Sequence, residues 1–222
     1  MADRRVRPEV VVVIGLGRFG RSLAGELLRG GHEVMGIDLD ERLVQAASGE
    51  LTVVVQADAT DETVLRQLGV ADVQHAVVAI GDAVQASILA TAALSDLGVP
   101  DIWGKAQTEQ HARILDRVGA HHVVFPERDM GVRVAHRVTG RMLEFVKIDE
   151  DFALIETPVP QRFADRTLIE SGIRQEFNVN VVGVQAPDEG FTHAQPDTRL
   201  VEGSVLLVAG QVRAVERFAA ES

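Results

Sequence analysis

Short apolar runs alternate with stretches of helical periodicity along the first half of the chain. Six runs have this character: Val10–Ile14, Val34–Ile37, Thr52–Val55, His75–Ile80, Ile102–Trp103 and His122–Phe125. Runs that are apolar on both faces are typical of strands buried in a parallel sheet. The alternation therefore predicts an α/β fold, a doubly wound parallel sheet of six strands with helical crossovers.

The helical stretches begin with residues that cap helices. Asp40, Asp61 and Thr108 each precede a glutamate and a helix-period segment. Their side-chain oxygens accept hydrogen bonds from the free N–H groups of a first helical turn. These three positions are predicted helix starts.

A further amphipathic stretch follows the sixth run, from 127 to 146. It carries an apolar stripe at helical spacing, formed by Met130, Val134, Val138, Met142 and Phe145, and it is weakened by Gly131 and Gly140. The sheet is already complete at this point. We therefore expect a crossover helix whose stripe is covered by another subunit.

The pattern changes again near residue 151. Strands are predicted at Phe152–Thr157, Val179–Val184 and Val205–Val208, and helices at Leu168–Phe177 and Gln211–Phe218. These strands and helices together predict a small α+β C-terminal domain. The expected organisation is a nucleotide-binding domain at 1–126, a crossover helix within 127–150 and the small domain at 151–222.

The loop after the first strand carries a glycine pattern, Gly15-Leu-Gly17-Arg18-Phe19-Gly20. In such a G-x-G-x-x-G loop the first glycine permits the turn, the second admits phosphate, and the third lets the helix pack closely. The helix N-terminus then supplies N–H groups to the phosphates. Asp38 ends the second strand, where its carboxylate accepts ribose hydroxyls and repels a 2′-phosphate. Strand, loop, helix, strand and acid together predict a site for an adenine nucleotide.

Composition narrows the possible partners. The 222 residues carry a net charge of −11 with pI near 5.1, which argues against nucleic acid and against a polybasic membrane patch. There is no cysteine, so thiolate catalysis and cysteine metal sites are excluded. No run is long enough to span a bilayer, and the N-terminus lacks a signal-peptide core. We expect a cytoplasmic protein whose membrane role comes through a partner.

Candidate chemistry outside the glycine loop is sparse. None of the seven histidines has a spacing that orients it against a carboxylate, so no catalytic base is assigned. Arg18 is either an exposed arginine before a helix or an added cation for a polyphosphate. Glu127 is either a first-turn acid favoured by the helix dipole or a ligand for a cation.

Several motifs together resemble the RCK (KTN) regulators of potassium transport, of the KtrA and TrkA type. The motifs are the glycine loop, Gln56-Ala-Asp-Ala-Thr60, Val77-Val-Ala-Ile-Gly81, Gln85-Ala-Ser87, Ile102-Trp103, Lys105-Ala-Gln107 and Pro126-Glu-Arg-Asp-Met-Gly131. In the C-terminal part, Leu168-Ile169, Arg174 and Leu200-x-x-Gly203-x-x-Leu206 resemble the RCK-C domain. The resemblance covers nearly the whole chain.

The resemblance implies ligands and the residues that bind them. It implies ATP or ADP, with NAD(H) as an alternative, in a site formed by Gly15, Gly17, Arg18, Phe19, Gly20, Asp38, Asp40, Asp58, Ala59, Ile80, Gly81, Lys105 and Glu127. Arg18 would reach the γ-phosphate across a dimer interface, where Glu127 would help to hold a divalent cation, Mg²⁺ or Ca²⁺. A second ligand, cyclic di-AMP, would bind at Leu168, Ile169 and Arg174.

The resemblance also implies an assembly and a function. RCK domains pair into dimers that form an octameric ring beneath a membrane potassium channel subunit of the KtrB or TrkH type. The chain would then be a cytosolic, non-enzymatic regulator that gates potassium uptake, peripheral to the membrane. Two alternatives stay open: an NAD(H)-dependent oxidoreductase, and a stand-alone nucleotide sensor with another partner.

Overall fold

A computed structural model describes residues 9–138 and 142–222 of the chain. The N-terminal residues, which are expected to lack a signal-peptide core, and Gly140 lie outside the described residues. The chain divides into two compact units, 1–127 and 128–222. Within the described ranges no helix is both long and apolar enough to cross a bilayer.

The first unit is built on a six-stranded parallel sheet. Its strands are β1 (Val10–Ile14), β2 (Glu33–Asp38), β3 (Val53–Gln56), β4 (His75–Val78), β5 (Asp101–Lys105) and β6 (His122–Val124). The helices between them are α1 (Arg18–Arg29), α2 (Glu41–Ala47), α3 (Glu62–Gln67), α4 (Val84–Asp96) and α5 (Glu109–Arg117). The spatial order β3-β2-β1-β4-β5-β6 reverses direction between β1 and β4, which confirms the predicted doubly wound sheet.

The sheet separates two apolar cores. Val12 and Ile14 of β1 pack into one core, whereas Val13, between them in sequence, packs into the other. This explains why the run is apolar throughout, because alternate side chains of a strand point to opposite faces. The predicted caps are confirmed as well: the side chains of Asp40, Asp61 and Thr108 accept hydrogen bonds from N–H groups of α2, α3 and α5.

The second unit is an antiparallel sheet with short helices. Helix α6 (Pro126–Val138) enters it, and the sheet has the order β10-β9-β11-β8-β7. The elements after α6 are β7 (Glu144–Lys147), β8 (Phe152–Pro158), α7 (Leu168–Ser171), α8 (Ile173–Phe177), β9 (Val179–Gln185), β10 (Phe191–His193), β11 (Val205–Gln211) and α9 (Val212–Ala219). This arrangement confirms the predicted α+β domain. It adds β10, which was not predicted, and divides the predicted helix 168–177 at Gly172.

The predicted helix from 127 to 146 is wrong in its second half. Helix α6 ends at Val138, and 144–147 forms β7, which pairs antiparallel with β8. Met142 and Phe145 are therefore not on the helical stripe: they are 5% and 9% exposed and lie in the core of the second unit, not under another subunit. Their three-residue spacing resembles a helix, but the long-range pairing with β8 determines the structure.

Helix α5 contains a buried histidine. His111 is 2% exposed, and its Nε2 has no hydrogen-bond partner within the described residues. Burial lowers the pKa of His111, because the apolar surroundings disfavour the charged imidazolium. Folding therefore favours the neutral form of this side chain.

This burial predicts a pH dependence of stability. The stability that comes from keeping His111 neutral is present above its unfolded pKa of about 6.5 and is lost as the pH falls towards the lowered folded value. Between about pH 7 and pH 5, the thermal midpoint of the wild type should fall more steeply than that of His111→Gln. His32→Gln, at an exposed histidine, is the control and should retain the wild-type slope. Equal slopes for the wild type and His111→Gln would contradict this account.

Candidate functional site

The glycine loop after β1 brings backbone segments into close contact. Gly15 has φ +96°, a conformation that favours glycine, and its N–H donates to the Ile37 carbonyl over 2.8 Å. A Cβ on Gly15 would lie 2.9 Å from the nitrogen of Ile80, and one on Gly20 would lie 1.8 Å from the oxygen of Gly15. A side chain at either position would therefore collide with backbone.

Gly17 has the opposite environment. A Cβ built there would meet no atom within 4 Å, so this side of the loop is open. Helix α1 begins at the next residue, and neither a side-chain cap nor a first-turn acid occupies its N-terminus. The first N–H groups of a helix have no acceptor within the helix, and the helix dipole makes this end partially positive. The open side of the loop is thus suited to an anion.

Asp38 has a structural role that the sequence analysis missed. Its Oδ2 accepts from the N–H of Leu16 at 2.6 Å, and its Oδ1 accepts from the N–H of Asp40 at 2.8 Å. The carboxylate thus links the glycine loop to the turn after β2. A carboxylate has about four acceptor positions, so two oxygens already in use still leave room for ribose hydroxyls.

Asp40, Asp58 and Ala59 serve local turns at the same edge of the sheet. The side-chain hydrogen bond from Arg42, 2.8 Å at its shortest, is the main reason that the pKa of Asp40 is lowered. Asp58 accepts from both the N–H and the hydroxyl of Thr60, and the hydroxyl is the first cause of the lowered pKa of Asp58. Ala59 is buried in the core. The carboxylates of Asp40 and Asp58 thus already have hydrogen-bond partners within their own turns.

Lys105 lies at the end of β5, and its side chain is only 9% exposed. Its Nζ is 2.6 Å from Oε1 of Glu127 and 5.7 Å from the centre of the Phe19 ring. A Cβ on Gly81 would lie 3.4 Å from the same Nζ. The structure therefore brings residues from α1, the loop after β4, β5 and α6 around one ammonium group.

Glu127 is the acidic member of this group. Its pKa is lowered, first by the hydrogen bond from Lys105 and also by the charges of Lys105 and Arg18, while burial opposes the shift. Arg18 is exposed at the start of α1 and is close enough to influence this carboxylate. The electrostatics thus place Arg18, Lys105 and Glu127 at one end of the sheet.

A complete metal site is not assembled within one chain. In the ranges 9–138 and 142–222, no three His, Asp or Glu side chains are grouped as metal ligands. A divalent cation at Glu127 would need further oxygen ligands from a bound nucleotide or a second chain.

Leu39, which follows Asp38 directly, was not among the predicted site residues. This large apolar side chain is 66% exposed at the carboxyl edge of the sheet. Its carbonyl accepts a hydrogen bond from the Gln56 side chain at 3.2 Å. The sequence contains an indication of this residue, because the apolar Leu39 lies between the polar Asp38 and Asp40 in the turn after β2.

The expectation that no histidine is oriented by a carboxylate is wrong. His75 Nδ1 lies 2.8 Å from Oδ2 of Asp101, and His122 Nε2 lies 3.4 Å from Oδ1. The strand register pairs His75 with Asp101, and this register does not appear in sequence spacing. These residues begin their strands, so they lie at the amino edge of the sheet, opposite the glycine loop.

The second unit contains a groove with a volume of about 330 Å³. Leu168 and Ile169 of α7 and Arg174 of α8, the three residues predicted for a second ligand, all line it. Ile173 and Val181 add apolar surface, whereas Asn180 and Gln195 add amide groups. Apolar walls beside an arginine and amides suit a ligand that combines a flat ring with phosphate.

Two family models match the chain. Residues 11–126 match the TrkA-N domain, and residues 152–221 match the TrkA-C domain. Ktr system potassium uptake protein C of Bacillus subtilis is 39% identical over 207 residues, covering 93% of this chain and 94% of that protein. Ktr system potassium uptake protein A of the same organism is 32% identical, covering 96% of this chain and 97% of that protein.

A solved structure gives the same result at the level of the fold. The GsuK channel bound to NAD has 26% sequence identity and a TM-score of 0.53, covering 97% of this chain and 38% of that one. The domain models match more than half of the chain, and the relatives align over nearly all of it. The chain therefore belongs to the TrkA/Ktr family of potassium uptake proteins, with a TrkA-N and a TrkA-C domain.

Proposed function

We propose that this chain is a nucleotide-binding regulatory subunit that gates a membrane potassium channel subunit of the Ktr or Trk type. It acts without catalysis: ATP, ADP or NAD(H) binds the first unit and changes its conformation. The observation that carries the proposal is the open glycine loop next to Arg18 and Lys105. The Ktr relatives support the partner, since their names assign them to potassium uptake systems.

The phosphates bind the amino end of α1 in this proposal. Gly17 admits them, and the uncapped N–H groups of the first turn donate to them. Lys105 adds a cation from β5, next to the loop after β4. The NAD bound by the GsuK channel supports a dinucleotide as a possible ligand for this fold.

The nucleoside binds over the end of β2. Asp38 accepts the ribose hydroxyls with the acceptor positions left by Leu16 and Asp40. Leu39, exposed beside it, offers an apolar surface to the adenine ring. Burying this leucine under a base removes apolar surface from water and so favours binding.

Arg18 gives the site a means to distinguish ATP from ADP. Its exposed guanidinium lies at the start of α1, where the third phosphate adds charge. Glu127 contributes an oxygen ligand to Mg²⁺ or Ca²⁺, together with phosphate oxygens and a second chain. A ligand shifts a conformational equilibrium only if it binds one conformation more tightly than the other. ATP and ADP can therefore have different effects where the contacts of the third phosphate differ between the two conformations.

Assembly through α6 completes the proposal. Met130, Val134 and Val138 are 53%, 47% and 79% exposed, and they recur at four-residue spacing on one face of this helix. A second copy of the chain covers this face, and the dimers form an octameric ring. The ring is cytoplasmic and associates with the membrane through the channel subunit.

The groove of the second unit takes a second ligand, cyclic di-AMP. Its bases lie against Leu168 and Ile169, and Arg174 pairs with a phosphate. This ligand would regulate the same subunit from a separate unit of the chain.

Two other functions predict different results. An NAD(H)-dependent oxidoreductase would oxidise NADH with a carbonyl substrate at a steady rate. A stand-alone nucleotide sensor would bind nucleotide but not co-purify with a membrane potassium channel subunit. The exposed Arg18 favours the regulatory proposal, because a third-phosphate contact has no use in hydride transfer.

The proposed ribose contact can be tested at Asp38. Asp38→Asn should lower discrimination against adenosine 2′,5′-bisphosphate relative to ADP, because the neutral amide no longer repels the 2′-phosphate. Calorimetric titration of both ligands gives the ratio. Damage to the loop would weaken both ligands alike, so an unchanged ratio would remove Asp38 from the ribose site.

The proposed contact with the third phosphate can be tested at Arg18. Arg18→Ala should weaken ATP more than ADP by about 1–3 kcal/mol, because only ATP loses a charge-assisted hydrogen bond. Potassium flux through the reconstituted channel should lose its response to ATP. Arg29→Ala is the matched control, since Arg29 pairs with Glu26 at the far end of the same helix. Equal losses of ATP and ADP affinity would exclude this role.

The proposed assembly can be tested on the exposed face of α6. Val134→Asp should reduce the mass measured by light scattering, because a buried unpaired carboxylate disfavours the interface on α6. Val53→Asp is the control, at an apolar side chain of similar exposure on the edge strand β3. A wild-type monomer at micromolar concentration would contradict the proposed assembly.

A further inference from the structure

The ammonium group of Lys105 is nearly enclosed and is held by one carboxylate. The lysine side chain is 9% exposed, whereas that of its partner Glu127 is 69% exposed. A nearly buried charge is costly unless a counter-ion compensates it. Lys105 therefore depends on its partner, but Glu127 would be well solvated without Lys105.

The surroundings of the same ammonium group are those of the glycine loop. Its Nζ lies 5.7 Å from the centre of the Phe19 ring, at the start of α1. A Cβ on Gly81, in the loop after β4, would lie 3.4 Å from it. Both elements border the space above the uncapped N-terminus of α1, which the proposed function assigns to phosphate.

We propose that Glu127 is an internal competitor of the nucleotide phosphates for Lys105, so that a bound polyphosphate replaces Glu127 as the partner of this lysine. The proposal rests on the nucleotide site of the proposed function. In the chain without nucleotide, Glu127 compensates the charge of Lys105. When nucleotide binds, a phosphate takes that place and the carboxylate is released, to solvent or to a divalent cation where one is present.

The charges and exposures favour an exchange of partners. A phosphate group carries more negative charge than a carboxylate and accepts strong hydrogen bonds from an ammonium group. Glu127 can be released at little cost in free energy, because most of its side chain already faces water. Lys105 cannot turn to water in the same way, so it changes its anion and keeps its position.

The exchange links the nucleotide to the start of α6. Glu127 is the second residue of this helix, and the ammonium group of Lys105 pairs with its carboxylate. Nucleotide binding thus leaves the Glu127 carboxylate without its lysine partner at the amino end of α6. By linkage, whatever binds the released carboxylate strengthens nucleotide binding to the same degree.

Removal of the competitor should strengthen nucleotide binding. In calorimetric titrations of the full chain with ADP, with divalent cations chelated, Glu127→Gln should raise the affinity by at least about threefold. Glu26→Gln is the matched control: Glu26 is an equally exposed acid, paired with Arg29 on the same unit, and its loss should leave the affinity unchanged. In a Lys105→Gln background, Glu127→Gln should give no gain.

Labelling of lysine tests the exchange without reliance on affinity. The chain contains only two lysines, Lys105 and the exposed Lys147 on β7. With an amine-reactive ester and mass spectrometry, Glu127→Gln should label faster than the wild type at Lys105, and ADP should slow it again. Lys147 is the internal control and should react at the same rate in every sample.

The possible failures are distinct. Wild type that binds ADP, with Glu127→Gln unchanged or weaker in affinity, would overturn the competition and leave the nucleotide site intact. Equal labelling of Lys105 in the wild type and Glu127→Gln would also overturn it. Failure of every protein to bind ADP, ATP or NADH would overturn the proposed function and the competition together.

Discussion

The first unit depends on the close approach of the glycine loop to the end of β4. Gly15 lies against the backbone of Ala79 and Ile80, and Gly20 lies against the carbonyl of Gly15. This contact fixes where α1 begins and leaves its first N–H groups unpaired. The carboxylate of Asp38 holds the same loop from β2. A small set of close contacts thus positions both the uncapped amino end of α1 and the acid beside it.

The candidate site combines opposite charges in an acidic chain. The net charge is −11, yet the charges of both Arg18 and Lys105 act on Glu127 at the carboxyl edge of the sheet. In a protein of negative net charge, such local cations favour anion binding at this edge of the sheet. Glu127 limits that attraction from within, because it already occupies the nearly buried lysine. The site is therefore tuned by an acid as well as by its cations.

Local patterns in the sequence predicted the sheet, its caps and the glycine loop, because each depends on neighbouring residues. Asp40, Asp61 and Thr108 cap helices in the structure as expected. The pairs His75–Asp101 and Lys105–Glu127 were not predictable, since each joins strands or helices more than 20 residues apart. Phe145 illustrates the same limit: its spacing suggested a helix, but its pairing with Ile155 of β8 makes it part of a strand.

The break at Gly172 divides the groove of the second unit between two helices. Gly172 has φ +65°, and it ends α7 and begins α8, so Leu168 and Arg174 stand on separate elements. On the α7 side, the N–H of Ile169 donates a hydrogen bond to the carbonyl of Pro196. Helix α8 packs on β9 instead. The width of the groove is thus a property of the angle between two short helices. For the second ligand of the proposed function, such a groove would discriminate by span, because a molecule too short to bridge both helices would contact only one wall.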